Sequence, residues 1–303
     1  MDCSTCSTVL KTLQILFVVL PLLSHSGAVR GTESSLHEKD GLTVQLVTAI
    51  TEITPGEPFL VGLILDTEEG FHTYWKGPGI VGVATNLEWN LPEGFSAGEI
   101  VWPAPERVDM LGINAHGYND RVCLLTEIQA PETIDSGSIT LEAKASWMCC
   151  ATTCYPGFSD LKLTLPVNQS ETPKPKEARY TALFRESLDS VPPVAPDGWT
   201  IYAEIVTPEI IELEVGIPKL ESMTVEGVYF FAYDLQVDSG EPQSVTLTSK
   251  SKPKLTFTLK RSDFTPKAPE ELAGVIYHPE GWPELNSKHA EVSFAWPTGP
   301  FQK

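Results

Sequence analysis

The sequence predicts an all-β protein of two β-sandwich domains joined by a Pro-rich linker with a short helix. Three observations carry this. Short segments in which apolar and polar residues alternate recur along the chain, the period of a strand with one buried face. Turns rich in Pro, Gly, Asn and Asp separate them at the spacing of a sandwich. The alternation lapses once, over residues 169–196, where Pro and Lys crowd together and a domain boundary belongs.

Residues 1–28 read as a secretory signal. Lys11 gives a weakly basic start, residues 13–23 an apolar run, and Ser26-Gly27-Ala28 a small-residue site with cleavage expected after Ala28. The run is about eleven residues long against the roughly 20 that cross a bilayer, and it contains Pro21, so no stable membrane insertion is expected after cleavage. A periplasmic or secreted protein results. The first domain, residues 29–168, carries strands over 42–50, 58–66, 87–91, 123–128, 138–147 and 160–166. The linker, 169–196, contains a short helix over 176–190, with Ala178, Ala182, Leu183 and Leu188 on one face. The second domain, 197–303, carries strands over 200–206, 210–215, 227–233, 243–248, 254–260 and 291–296. No internal repeat relates the two.

Apolar residues make up 42% of the chain and charged ones 20%, which suits packed cores and not disorder. With 40 acidic against 21 basic residues the formal charge is -19, so nucleic acid and anionic membrane surfaces are repelled. Cys3 and Cys6 leave with the signal. Cys123, Cys149, Cys150 and Cys154 remain, in a compartment where disulfides persist. They are too few to staple a scaffold of this size, and the second domain has none. Thiol chemistry is therefore confined to residues 29–168.

Three of the four gather in Trp147-Met148-Cys149-Cys150-Ala151-Thr152-Thr153-Cys154-Tyr155-Pro156-Gly157. The Tyr-Pro-Gly turn can fold the chain back and bring Cys150 to Cys154. Closing so short a loop contributes about 2 to 3 kcal/mol, a poor staple for the domain, and short-loop disulfides are the more readily reduced ones. Spacing and compartment favour a redox pair over a structural bridge or a metal site, since the nearest histidine in sequence is His116. Neighbours on a strand face opposite ways, so only one of Cys149 and Cys150 can easily face Cys154. Cys149 then either pairs with Cys123 or stays buried and reduced. No C-x-x-C opens a helix, so the chain is not itself a thioredoxin.

Further motifs stand in a fixed order with that segment: Phe71-His72-Thr73-Tyr74-Trp75-Lys76-Gly77-Pro78-Gly79, Leu91-Pro92-Glu93-Gly94-Phe95, Trp102-Pro103-Ala104-Pro105 and Gly117-Tyr118. Together they resemble the amino-terminal periplasmic domain of DsbD-type thiol:disulfide interchange proteins, the protein-disulfide reductase family. The resemblance covers roughly residues 40–167, and the second half looks like the companion region of longer relatives. It implies an immunoglobulin-like sandwich, which makes the expected fold two immunoglobulin-like β-sandwich domains. It also implies a cysteine pair that passes electrons from a membrane-embedded thiol reductase to periplasmic thioredoxin-like partners. By motif position the pair is Cys150 and Cys154, with Cys154 forming the mixed disulfide and Cys150 resolving it. The membrane segment and thioredoxin-like domain of full-length relatives have no counterpart here, so electrons are expected from a separate membrane protein.

The resemblance further implies a cap loop over the cysteines, and the nearest stretch is Val108-Asp109-Met110-Leu111-Gly112, with Met110 and Leu111 where relatives carry aromatics. Met110 and Leu111 would exclude water, and Asp109 would tune the thiol. His72, Tyr74 and Trp75 either fill core or line the site, Trp147 anchors the sandwich, and His116 is expected in an exposed loop with no role. No cofactor and no bound metal are expected. Two alternatives use the same residues: a copper-handling protein with the thiols as soft Cu(I) ligands, and a non-catalytic binding module with a permanent disulfide.

Overall fold

The structure is a computed structural model that describes residues 32–168, 179–218, 223–248 and 253–296. The signal sequence and residues 169–178 of the linker lie outside the described residues. In the first half, β1 (His37–Lys39), β2 (Leu42–Thr48), β3 (Pro58–Thr67), β4 (Thr73–Tyr74), β5 (Asn86–Asn90) and β6 (Ser96–Val101) come first. They are followed by β7 (Glu106–Met110), β8 (Ile113–Tyr118), β9 (Val122–Gln129), β10 (Ser138–Cys150) and β11 (Cys154–Pro166). A five-stranded sheet ordered β1-β2-β3-β9-β6 faces a three-stranded sheet ordered β11-β10-β5. Between them pack Leu42, Leu46, Leu63 and Leu124 from one side and Leu141, Ala145, Trp147 and Leu163 from the other. Each is an alternate residue of its strand, which is why a period of two in the sequence found these elements. A small third sheet, β4-β8-β7, sits at one end.

The expected linker helix is α1 (Thr181–Asp189), and its packing differs from the expected face. Phe184 and Ser187 are its buried residues, while Leu188 is exposed. With Tyr180, Phe184 covers Val47, Ile64, Cys123 and Leu125 on the outer face of the five-stranded sheet. The helix is thereby part of the first half's packing.

The second half contains β12 (Thr200–Thr207), β13 (Ile210–Gly216), β14 (Tyr229–Ala232), β15 (Ser244–Thr248), β16 (Lys254–Lys260), β17 (Glu271–Tyr277) and β18 (His289–Ala295). Sheets ordered β12-β13-β16-β15 and β14-β17-β18 enclose Leu213, Phe230, Phe257 and Ile276. β17 escaped the sequence reading because Leu272 to Ile276 is buried throughout, and such a run shows no alternation. The cause lies in β14 and β17, which serve two cores. Phe230 and Ile276 point into the second half, whereas Tyr229, Phe231 and Val275 join the core of the first. The two halves share this sheet as a common wall.

Candidate functional site

β10 and β11 pair without a break from Ser138↔Pro166 to Cys150↔Cys154. The register sets the two cysteines opposite each other on the last rung, joined by Ala151-Thr152-Thr153, and they form a disulfide with Cα atoms 4.1 Å apart. Alternation along β10 sends Trp147 and Cys149 into the sandwich core, and Met148 and Cys150 to its outside. Cys149 and Cys123 are both free and buried. They lie in different clusters, Cys149 between the sheets and Cys123 beneath α1, so they do not pair with each other. Burial pushes each thiol up to about 12, which keeps both protonated and unreactive near neutral pH.

The disulfide has its own small apolar shell. Tyr74, Val108 and Ala115 are buried against Cys150, and Val81, Met110, Met148 and Cys154 pack around them half-buried. Met110 Sδ lies 3.7 Å from Cys154 Sγ. Cys150 is fully buried, at 0% exposure, and Cys154 is not. Cys154 is thus partly open and Cys150 sealed.

His72 exchanges two backbone hydrogen bonds with Cys150, at 2.8 and 3.0 Å. That pairing puts His72 and, two residues on, Tyr74 on the face of the disulfide. His72 Nε2 lies 3.2 Å from the Tyr74 hydroxyl. Burial lowers the His72 pKa, with the Asp109 carboxylate opposing it, and burial raises Tyr74 to about 12. Both groups are neutral at neutral pH. The same alternation turns Trp75 away: it lies in the main core against Phe231 and Tyr233 and does not line the site.

The expected cap stretch is the end of β7 and the turn of the β7–β8 hairpin. Register pairs Val108 with Ala115 and Met110 with Ile113, and Val108, Ala115 and Met110 pack on the disulfide. Leu111 and Gly112 form the turn with φ of 53° and 87°, the left-handed conformation that a two-residue hairpin turn requires. Leu111 is consequently 66% exposed and does not cover the sulfurs, contrary to expectation. Asp109 Oδ1 accepts the Gly112 N–H at 2.8 Å, so it braces the turn.

His116 is the clearest correction. It is not in an exposed loop but on β8, 2% exposed. Its ring nitrogens bond the Gly77 carbonyl at 2.9 Å and the Tyr229 hydroxyl at 3.1 Å. Val81, Val108, Ala115 and Met148 also belong to the shell and were missed; they are ordinary apolar residues, distant in sequence from the pair, and nothing local marks them.

Residues 43–166 match the family model described as "Thiol:disulfide interchange protein DsbD, N-terminal". Over these residues the chain is similar to the DsbD N-terminal family. The matched stretch holds the whole apolar shell and both bonded cysteines. The N-terminal periplasmic domain of ScsB from Proteus mirabilis is similar in structure at TM-score 0.60 and 17% identity, over 88% of this chain and 100% of that one. That likeness extends the shared fold beyond the family match into the second half. A conserved domain protein from Bacillus anthracis matches over 86% of this chain and 89% of its own at 11% identity, with a TM-score of only 0.25. No curated protein matches the chain. Among the described residues no group of three or more His, Cys, Asp or Glu is placed to hold a metal, and no helix is long and apolar enough to cross a membrane.

Proposed function

We propose that this DsbD-type domain works outside the cytoplasm as a thiol:disulfide exchange module, passing electrons between a membrane-embedded thiol reductase and thioredoxin-like proteins through Cys150 and Cys154. The observation that carries the reading is the asymmetry of the disulfide. It stands at the end of a hairpin, outside the main core, with Cys154 reachable and Cys150 sealed beneath Tyr74, Val108 and Ala115. A bond serving only as a staple has no need of one accessible sulfur.

The exchange balances as follows. A thiolate of a partner dithiol attacks Cys154 Sγ, the bond to Cys150 breaks, and Cys150 leaves as a thiolate that takes a proton. The partner's second thiolate attacks its own bonded sulfur and releases Cys154. The pair gains two electrons and two protons, and the partner becomes a disulfide. The reverse sequence reduces a partner. Neutral His72 and Tyr74 and the Met110 thioether supply a weakly polar setting around the pair.

Mixing the oxidised protein with a reduced thioredoxin-like dithiol protein, followed by acid quench and alkylation, is expected to show two new thiols, at Cys150 and Cys154. Cys123 and Cys149 are expected to react to the same extent before and after mixing. Absence of new thiols at equilibrium would oppose the proposal.

A further inference from the structure

The β7–β8 hairpin has two faces, and only one touches the disulfide. Val108, Met110 and Ala115 lie on the Cys150–Cys154 side. Arg107 and His116, paired across the hairpin, lie on the other, and both meet the second half there. Arg107 stands over the Tyr229 ring at 5.3 Å, and His116 bonds the Tyr229 hydroxyl. Two rungs nearer the turn, Asn114 pairs with Asp109, and its carbonyl accepts the Ser239 hydroxyl at 2.8 Å. The same Ser239 oxygen accepts the Ile80 N–H at 3.0 Å. Ser239 is 1% exposed, so neither bond is replaced cheaply by water. The two segments it ties together are those that carry Val81 and Met110 to the disulfide.

We infer that Ser239 is a positioning residue for the cysteine pair: from the second half, it holds the β7–β8 hairpin, and with it Met110, against the partly exposed Cys154. This rests on the exchange reading for its purpose, and it gives the cysteine-free half a task at the site. Without the hydroxyl, the Ile80 N–H and the Asn114 carbonyl lose their shared partner, and the hairpin opens more often at the end that bears Met110. Gly240 offers a second handle. A Cβ there would stand 3.1 Å from Ile80 Cδ1 and 3.2 Å from Ile113 Cγ2, a mild wedge against the same hairpin with the hydroxyl left in place.

The test is thiol reactivity in the full chain after reduction with a phosphine, using a bulky fluorescent maleimide and peptide mapping of each cysteine. In Ser239→Ala the rate at Cys154 is expected to rise about tenfold, the effect of one buried hydrogen bond on a local opening, with Cys123 and Cys149 unchanged. Gly240→Ala is expected to raise it by a smaller factor in the same pattern, and it serves as the test if Ser239→Ala does not fold. An unchanged Cys154 rate in the folded variants would overturn the inference, and so would a parallel rise at all three thiols, which reports general loosening. The chemically reduced protein gives this readout whether or not the pair exchanges with any protein, so failure here and failure of the exchange reading are distinguishable.

Discussion

Cys150→Ser is expected to accumulate as a stable mixed disulfide between Cys154 and a thioredoxin-like partner, while Cys154→Ser is expected to form none and to lose exchange to the uncatalysed level. The difference follows from access. Partner sulfur reaches Cys154, which is partly exposed, and the resolving step needs the second thiol beside it. With serine at 150, and with the partner's own second cysteine also replaced, the mixed disulfide has no neighbouring thiol to break it. Serine at 154 leaves a thiol at 0% exposure beneath Val108 and Ala115, where a partner cannot approach in line. Non-reducing electrophoresis with mass mapping of the bonded peptides checks this. Equal trapping by the two variants would contradict the assignment of Cys154 as the attacked sulfur.

The second large effect is loss of stability in mild acid. Burial lowers His116 and His289 from the ordinary 6.5 to about 4 each. His116 is held neutral among Trp75, Tyr229 and Phe231, with its Nδ1–H donating to the Gly77 carbonyl and Nε2 facing the Tyr229 hydroxyl. The bond to the Gly77 carbonyl opposes this lowering without overcoming it. His289 packs on Tyr277 and Phe231 along the shared sheet. Because the folded pKa lies below the unfolded one, the unfolded chain takes up protons first as pH falls. The contribution is fully present above about pH 6.5 and is lost progressively towards pH 4, on the order of 2 to 3 kcal/mol per histidine. Denaturant unfolding at pH 7, 5.5 and 4.5 measures the slope. His116→Gln is expected to be less stable at pH 7 and to show a shallower fall below pH 6.5; an unaltered slope would contradict the account.

Both effects concern places that were unequally legible in the sequence. The sandwich strands read well because one face of each is buried, so Leu42 to Thr48 and Lys254 to Lys260 alternate as written. The closeness of Cys150 and Cys154 was legible from spacing, but the turn was not: it is Ala151-Thr152-Thr153, while Tyr155-Pro156-Gly157 pairs within β11, and both strands run further than expected, to Cys150 and from Cys154. β7 and β8 were not, since they form a small sheet at the end of the sandwich, where polar residues face the second half and break the pattern. His116 misled for that reason: its partners, Gly77 and Tyr229, are far away in sequence, and no local rule marks a histidine as buried. Leu111 was assigned to the cap through the family resemblance, but its left-handed backbone at the turn points it to solvent. His72 and Tyr74 joined the site, and Trp75 did not, through alternation at β4, a strand too short to show a period.

The exchange role of the pair is tested by an equilibrium redox titration of the mature protein in glutathione or dithiothreitol buffers, with the Cys150–Cys154 state read by alkylation. A reversible two-electron transition is expected at a potential between about -180 and -270 mV, in the range of exchange proteins. A pair that stays oxidised below about -300 mV, where structural disulfides lie, would contradict that role.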